Sequence, residues 1–397
     1  MKIHKVIVEQ IIQALDEIFV DNRYADKVIE KYLKQNRKWG SRDRKYFAEN
    51  VYEIVRWRRF LEFIVGESDP WALWFAHQVR YAHDLPNWPE ISDLDPEVIR
   101  MRMKAEVPPA VKESFPDWMY ELGQKELGPE WEKIAHALNL PAQVYLRTNL
   151  LKTTPSELAK KLATETIAAD VLGEELPLAL KLKERKNVFV TKAFQDGLFE
   201  VQDAASQMIA PMLKVEPGMR VVDACAGAGG KSLHLSCFMK NKGKIIALDI
   251  HEWKLGELKK RARRNGVDII ETKVIDSTKV VKRLENSADR LLLDVPCSGM
   301  GVLRRNPDSK WKLTIEEIVR LESLQHELLM TYSQMLKVGG IMVYATCSLL
   351  PRENQKQIEK FLAEQKKEWK VLEEKVLLPH QHGFDGFYAC SLQLIKS

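Results

Sequence analysis

Of the five cysteines in this 397-residue chain, at 225, 237, 297, 347 and 390, two sit where a thiol can do chemistry. Cys297 lies in Leu293-Asp-Val-Pro-Cys-Ser-Gly-Met-Gly301 and Cys347 in Tyr344-Ala-Thr-Cys-Ser348. Each follows an apolar, strand-like run and is flanked by Pro, Gly, Ser or Thr, which turn the chain and leave a side chain accessible. A thiol in such a place acts as a nucleophile once its surroundings set its pKa. Cys237 and Cys390, in apolar stretches, read instead as small buried hydrophobes. The five are too few and too far apart for a disulfide framework, and no CxxC pair points to a metal.

The second chemical feature is Asp223-Ala-Cys-Ala-Gly-Ala-Gly-Gly-Lys-Ser232, which follows a short apolar run and precedes a helical one. Small residues let the backbone approach a ligand closely, and the free amides of a helix start favour an anionic group. A phosphate-binding P-loop needs glycine five residues before Gly230, where Cys225 stands. A dinucleotide fingerprint needs Gly or Ala at Ser232. An S-adenosylmethionine loop remains. Asp249, 20 residues past Gly229 at the next strand end, is spaced to accept from ribose hydroxyls, and Asp276 at a third strand end is spaced to meet an adenine edge. Each Asp also suits a plain helix cap, and it is their combination with the loop that outlines one nucleoside pocket.

These residues need a frame that gathers strand ends. After about Val201, short apolar runs at 220–223, 244–249, 269–275, 290–294 and 341–346 alternate with helical stretches. That pattern predicts a parallel sheet with helices on both faces and ligands at the C-terminal strand ends, so Cys297 and Cys347 are expected in one crevice beside the glycine loop. Residues 384–395 suit antiparallel edge strands. Upstream, strand-like 143–149, helical 155–163 and strand-like 187–191 predict a small α+β unit. From Val6 to Glu67 the spacing is helical, as in Phe47, Val51, Ile54 and Val55, and proline clusters then predict short helices to about Asn139. The resulting division is 1–139, 140–200 and 201–397.

The runs VQDAASQ, DACAGAGGKS, DVPCSGMGVLRRNPDSKWK and YATCSLLPREN, in that order across about half the chain, resemble the successive motifs of the RsmB/Nop/Sun family of RNA cytosine-5 methyltransferases. The resemblance implies an α/β fold: a Rossmann-like class I methyltransferase domain, preceded by an all-helical domain and a small α+β RNA-contacting subdomain. It implies S-adenosylmethionine as cofactor, held by Cys225, Ala226, Gly227, Ala228, Gly229, Gly230, Lys231, Asp249, Asp276 and Asp294. It makes Cys347 the nucleophile that adds to C6 of cytosine and Cys297 the residue that promotes release. Asp294 is left to hold either the base edge at N3 or N4 or the methionine ammonium. The family usually has Ala-Pro where this loop has Gly227-Ala228, which predicts a looser loop. The stretch from Arg42 through Val55-Arg-Trp-Arg-Arg59 resembles the NusB-like helical domain of the RsmB branch, and LRTNLLK the small RNA-contacting subdomain. The NusB-like resemblance tilts the substrate toward 16S ribosomal RNA, with transfer RNA as the alternative.

Bulk properties bound these readings. With 45% hydrophobic residues the chain is long enough for two or three cores. No run of eighteen apolar residues occurs, and Glu9, Asp16 and Glu17 interrupt the N-terminal one, so the chain reads as soluble and cytoplasmic, without membrane or metal. The net charge of +5 is uneven: residues 1–60 carry +5, residues 61–140 carry −8 and the remainder +8. Two basic regions suit a polyanion, and Arg56, Arg58 and Arg59 are expected to contact RNA phosphate in a salt-dependent way. Two other functions compete: a non-catalytic RNA-binding ribosome-assembly factor, which has no use for two thiols, and an NTPase using Gly230-Lys231-Ser232, which Cys225 argues against.

Overall fold

In the first helix, Lys5–Phe19, the apolar residues Ile7, Val8, Ile11, Leu15 and Ile18 recur at helical spacing and are all buried. The computed structural model describes residues 3–396. They fall into two units: Met1–Leu140 with Leu303–Thr314, and Pro141–Val302 with Ile315–Ser397. Among the described residues, no helix is long and apolar enough to cross a membrane.

The first unit is helical. Its longest helix, Ser41–Val65, buries Phe47, Val51, Ile54, Val55, Leu61 and Ile64, kinks at Trp57 and ends at Gly66 in the left-handed region. Pro70–Arg80 is capped by Asp69, whose carboxylate accepts from the amides of Trp71 and Ala72. Each such buried aliphatic or aromatic side chain contributes roughly 1.5–3 kcal/mol. The basic cluster expected to meet phosphate is engaged inside this unit. Arg56, 4% exposed, donates to Glu53 (3.0 Å) and to the Arg304 carbonyl (3.0 Å). Arg58 pairs with Glu62 (2.8 Å) and lies over the Phe19 ring, while Arg59 binds the Phe115 carbonyl and Asp117. Ser41–Val65 is packed on several sides, so Arg56 is buried and Arg58 and Arg59 are half-buried.

Leu303–Thr314, which the sequence reading assigned to the methyltransferase domain, belongs to this helical unit. Lys310 is fully buried there and donates to the carbonyls of Arg56 and Ser114 (3.0 Å each) and to Asn139 Oδ1 (2.7 Å). Trp311 donates to the Val55 carbonyl (2.7 Å), and Asp308 accepts from the Ala25 amide (3.0 Å).

The second unit holds two sheets. The smaller has β1 (Tyr145–Thr148), β2 (Ala169–Val171), β3 (Ala179–Leu182) and β4 (Phe199–Val201) in the order β2-β3-β1-β4, all antiparallel. Helix Pro155–Thr164 packs on it through Leu158 and Leu162, started by a capping box between Thr154 and Glu157. The strand expected at 187–191 is instead a 3-10 turn, Val188–Val190, because the Asn187 side chain captures the Phe189 amide (3.1 Å) and Thr191 caps the helical turn that follows.

The larger sheet has β5 (Arg220–Asp223), β6 (Lys244–Asp249), β7 (Ile270–Val274), β8 (Ala288–Asp294), β9 (Leu336–Thr346), β10 (Glu368–Leu377) and β11 (Phe387–Lys396) in the order β10-β11-β9-β8-β5-β6-β7. The five strands from β5 to β9 pair in parallel with one another, as the alternation of short strands and helices predicts; β11 lies antiparallel to β9 and to β10. The tail strand is therefore interior, and β10, whose side chains are largely exposed or half-buried, forms the edge.

Candidate active site

From β5 the chain proceeds through β6 and β7 on one side, then returns to β8 on the other, so the crevice opens at the C-terminal ends of β5 and β8. The loop after Asp223 and the start of helix Gly230–Phe238 occupy it. Ala226 donates to the Leu248 carbonyl (2.8 Å), Gly229 to that of Ala226 (2.9 Å) and Gly227 to Asp249 Oδ2 (2.9 Å). The loop is also held from the small sheet. Arg261 pairs with Glu200 on β4 (2.8 Å) and donates to the Ala228 carbonyl (2.8 Å), and Arg147 on β1 donates to the Gly230 carbonyl (2.5 Å). Side chains thus restrain a loop whose Gly227-Ala228 pair predicts looseness. Gly227 takes φ +55°, and a Cβ there would meet nothing within 4 Å, which leaves room for a ligand against the backbone.

Three carboxylates border this space. Asp249, 8% exposed, accepts one amide at each oxygen, from Gly227 and from His251 (2.8 Å), and keeps one acceptor site free on each. Asp294 ends β8 and pairs with Lys231 (2.5 Å), whose ammonium also lies 5.3 Å from the Phe387 ring centre. Asp223 accepts from Ser232 Oγ (2.6 Å), and its other oxygen is buried without a hydrogen-bond partner. Burial and the charges of Asp223, Asp294 and Asp249 push the Cys225 thiol well up, so it stays neutral.

Burial also pushes Asp223 up to about 7, opposed by the Ser232 hydroxyl and Lys231 and reinforced by Asp294 and Asp249. The folded chain therefore keeps a proton that the unfolded chain sheds near pH 4. This group's contribution to stability is complete below that pH and is lost as pH rises toward 7, at up to about 1.4 kcal/mol per unit. Asp223→Asn is expected to flatten that segment of the stability profile. Urea unfolding at several pH values checks this, and a slope equal to wild type would contradict it.

Cys297 and Cys347, at the ends of the adjacent parallel strands β8 and β9, bring their sulfurs to 3.4 Å. Gly301 closes the turn after Cys297 against the second thiol: its amide donates to the Cys347 carbonyl (2.9 Å) and its carbonyl accepts from Gly386 (2.8 Å). A Cβ at Gly301 would fall 2.2 Å from the Gly386 oxygen, so only glycine fits. The hydrogen bond with Cys347, then burial, then the Cys347 and Glu353 charges push the Cys297 thiol well up. Either sulfur can be the donor of the pair.

Of the residues singled out in the sequence, 225–231, Asp249 and Asp294 surround one crevice and the two thiols meet. Asp276 lies just beyond β7 with an exposed side chain that accepts from Ser277 Oγ (3.0 Å), and it is not drawn to the loop as Asp249 is. Cys237 and Cys390 are buried. Sequence reasoning missed Arg147, Glu200 and Arg261, which brace the loop across the small sheet, and Glu353, buried beneath both thiol turns. Glu353 lies inside the YATCSLLPREN run, where an acidic residue so close to an apolar strand end was the available signal.

The sequence model of the 16S rRNA methyltransferase RsmB/F family matches residues 210–393, and that of the RsmF/B-like ferredoxin-like domain matches residues 115–189. A relative from Synechocystis sp., named probable ribosomal RNA small subunit methyltransferase B, is 31% identical and covers 93% of this chain and 95% of its own. A protein of the same name from Bacillus subtilis is 35% identical over 72% of this chain and 67% of its own. The crystal structure of PH0851 superposes with a TM-score of 0.83 at 28% identity, covering 99% of each chain.

Proposed function

The chain belongs to the 16S rRNA methyltransferase RsmB/F family, and from that premise we propose that it methylates carbon 5 of a cytosine in small-subunit ribosomal RNA, with Cys347 as nucleophile and S-adenosylmethionine as methyl donor. The observation that carries this reading is the pair of sulfurs 3.4 Å apart beyond the ends of two adjacent parallel strands. Carbon 5 of cytosine is a poor nucleophile. Addition of the Cys347 thiolate at C6 turns the ring into an enamine whose C5 can take a methyl group. S-adenosylmethionine supplies that methyl group as an electrophile. The C5 proton then leaves to a base, the electron pair re-forms the C5–C6 double bond, and the Cys347–C6 bond breaks. Cys297, an S–H donor beside the departing sulfur, stabilises the thiolate as it leaves.

The cradle fits the donor. Residues 225–231 offer a close backbone approach, Asp249 has two free acceptor sites for ribose hydroxyls, and Asp223 has an unpartnered buried oxygen. Asp276 is assigned to the adenine edge, and Asp294 to the base edge or the methionine ammonium. The small sheet is assigned to RNA. Supporting this, Phe189 and Val190 are exposed in a stretch that also exposes Lys183, Arg185, Lys186 and Lys192, a combination suited to phosphate and an unstacked base.

The test is methyl transfer from methyl-tritiated S-adenosylmethionine to 16S ribosomal RNA, followed by nucleoside analysis, with 5-methylcytidine as the expected product. Label in transfer RNA alone would change the substrate, and label on another base or on ribose would sink the C5 reading. Asp249→Ala is expected to weaken S-adenosylmethionine binding by about 1–3 kcal/mol, because it removes a buried acceptor. Unchanged affinity by calorimetry would move the donor elsewhere.

A further inference from the structure

Glu353 is wholly buried, yet both carboxylate oxygens are occupied by groups next to the two thiols. Oε1 accepts from the Ser298 amide (2.8 Å) and from Gln325 Nε2 (2.9 Å); Oε2 accepts from the hydroxyls of Ser298 and Ser348. Ser298 follows Cys297 and Ser348 follows Cys347, and their hydroxyls lie 3.1 Å apart. Gln325 also donates to the carbonyl of Pro296, the residue before Cys297 (2.9 Å). The backbone carrying Glu353 is fixed in turn by Tyr344, on β9, which donates to the Glu353 carbonyl (2.6 Å). All four acceptor sites of this carboxylate are thereby spent on the two turns and on the glutamine that grips one of them.

We propose that Glu353 is a positioning residue that sets the distance between the sulfurs of Cys297 and Cys347 by tying the turn after one to the turn after the other. The inference rests on the covalent two-thiol reading above and adds to it the element that brings the thiols into register. Strands β8 and β9 deliver the two cysteines to neighbouring strand ends, but each lies beyond the end of its strand, Cys297 by three residues and Cys347 by one. Strand pairing alone leaves such turns free to splay, and a carboxylate with two oxygens and four acceptor sites can hold both at once. Buried and charge-assisted bonds of this kind are short and costly to break, so the turns are rigid where the chemistry needs a fixed sulfur-to-sulfur distance. The glutamine analogue can keep the tie, because the two serine hydroxyls can turn to accept from its amide, whereas alanine cannot.

The test uses the full chain in three variants: Glu353→Ala, Glu353→Gln and the double change Ser298→Ala with Ser348→Ala. The first readout is the rate at which diamide links Cys297 to Cys347, followed by peptide mass. The azo oxidant takes the two thiol hydrogens and is reduced to its hydrazine as the S–S bond forms. The second is kcat against KM for RNA, with S-adenosylmethionine affinity as a control for folding. Glu353→Ala and the double serine variant are expected to slow disulfide formation and to lower kcat by about 10- to 100-fold, the cost of misplacing a reacting group by about 1 Å. KM and cofactor affinity stay near wild type, and Glu353→Gln recovers most of both losses. Wild-type disulfide rate and kcat in Glu353→Ala would overturn the proposal. So would loss of cofactor binding in Glu353→Ala alongside a double serine variant that is wild type in every readout, since the carboxylate would then serve only the fold. If Glu353→Ala does not fold, the double serine variant decides. The disulfide rate needs no turnover, so a wild-type chain that transfers no methyl group would sink the proposed function and leave the positioning result to be read by itself.

Discussion

Cys347→Ala is expected to abolish methyl transfer, by roughly 10³-fold or more, together with any covalent bond to RNA, while S-adenosylmethionine still binds. Without addition at C6 there is no enamine and no nucleophilic carbon. Cys297→Ala is expected to behave oppositely: its partner still attacks and the base is still methylated, but the departing sulfur loses the S–H donor 3.4 Å away. A protein–RNA complex should then accumulate on unmodified RNA and survive denaturing electrophoresis. An adduct trapped by Cys347→Ala and not by Cys297→Ala would exchange the two roles and leave the reaction class standing. No adduct in either variant, with cofactor binding intact, would end the covalent mechanism.

The second large effect is expected far from the chemistry. Lys310→Ala should destabilise the helical unit by about 3–5 kcal/mol, since it leaves the carbonyls of Arg56 and Ser114 and Asn139 Oδ1 without their donor and opens a cavity against the Phe115 ring. The ammonium is entirely enclosed, and burial pushes its pKa well down, yet its three N–H groups meet three acceptors. Lys310→Met should fall between the two, as it restores volume but not hydrogen bonds. Urea unfolding followed by tryptophan fluorescence reports on this unit, which holds all the tryptophans except Trp253 and Trp369. A change below about 1 kcal/mol for Lys310→Ala would mean that the acceptors find other partners.

The contrast between those two sites follows what a sequence can carry. The glycine loop was legible because its conformation depends on residue types at fixed short spacing: Gly227, Gly229 and Gly230 in a turn between a strand and a helix. The parallel sheet was legible because strands buried on both faces need a continuous apolar run, as residues 245–248 give β6 and residues 291–293 give β8. Once that sheet was inferred, chain order and the rule that ligands collect at C-terminal strand ends were enough to bring Cys297 and Cys347 together. The same local reasoning failed at 187–191, where β-branched and aromatic residues suggested a strand but Asn187 made a turn. At Arg56, Arg58 and Arg59, expected on RNA phosphate, it gave no sign of the carboxylates and carbonyls that these side chains meet.

Those failures share a cause. Whether a charged side chain meets water or a buried acceptor depends on which distant segments pack over it, and helical periodicity carries no record of them. Lys310 finds Arg56, Ser114 and Asn139 across separations of 171 to 254 residues, and Glu353 finds Ser298 across 55. The sequence by itself determined the strand-and-helix alternation, the glycine loop between a strand and a helix, the acidic strand ends and the presence of two thiols at adjacent strand ends. Only the tertiary structure decided that the thiols lie 3.4 Å apart, that a buried glutamate joins their turns, that the small sheet braces the ligand loop, and that Leu303–Thr314 belongs to the helical unit. Periodicity and spacing encode which face of an element is apolar over a few residues. Hydrogen bonds between residues far apart in the chain are directional and form only when the backbone has already been brought within about 3 Å, so their partners are fixed by packing and not by pattern.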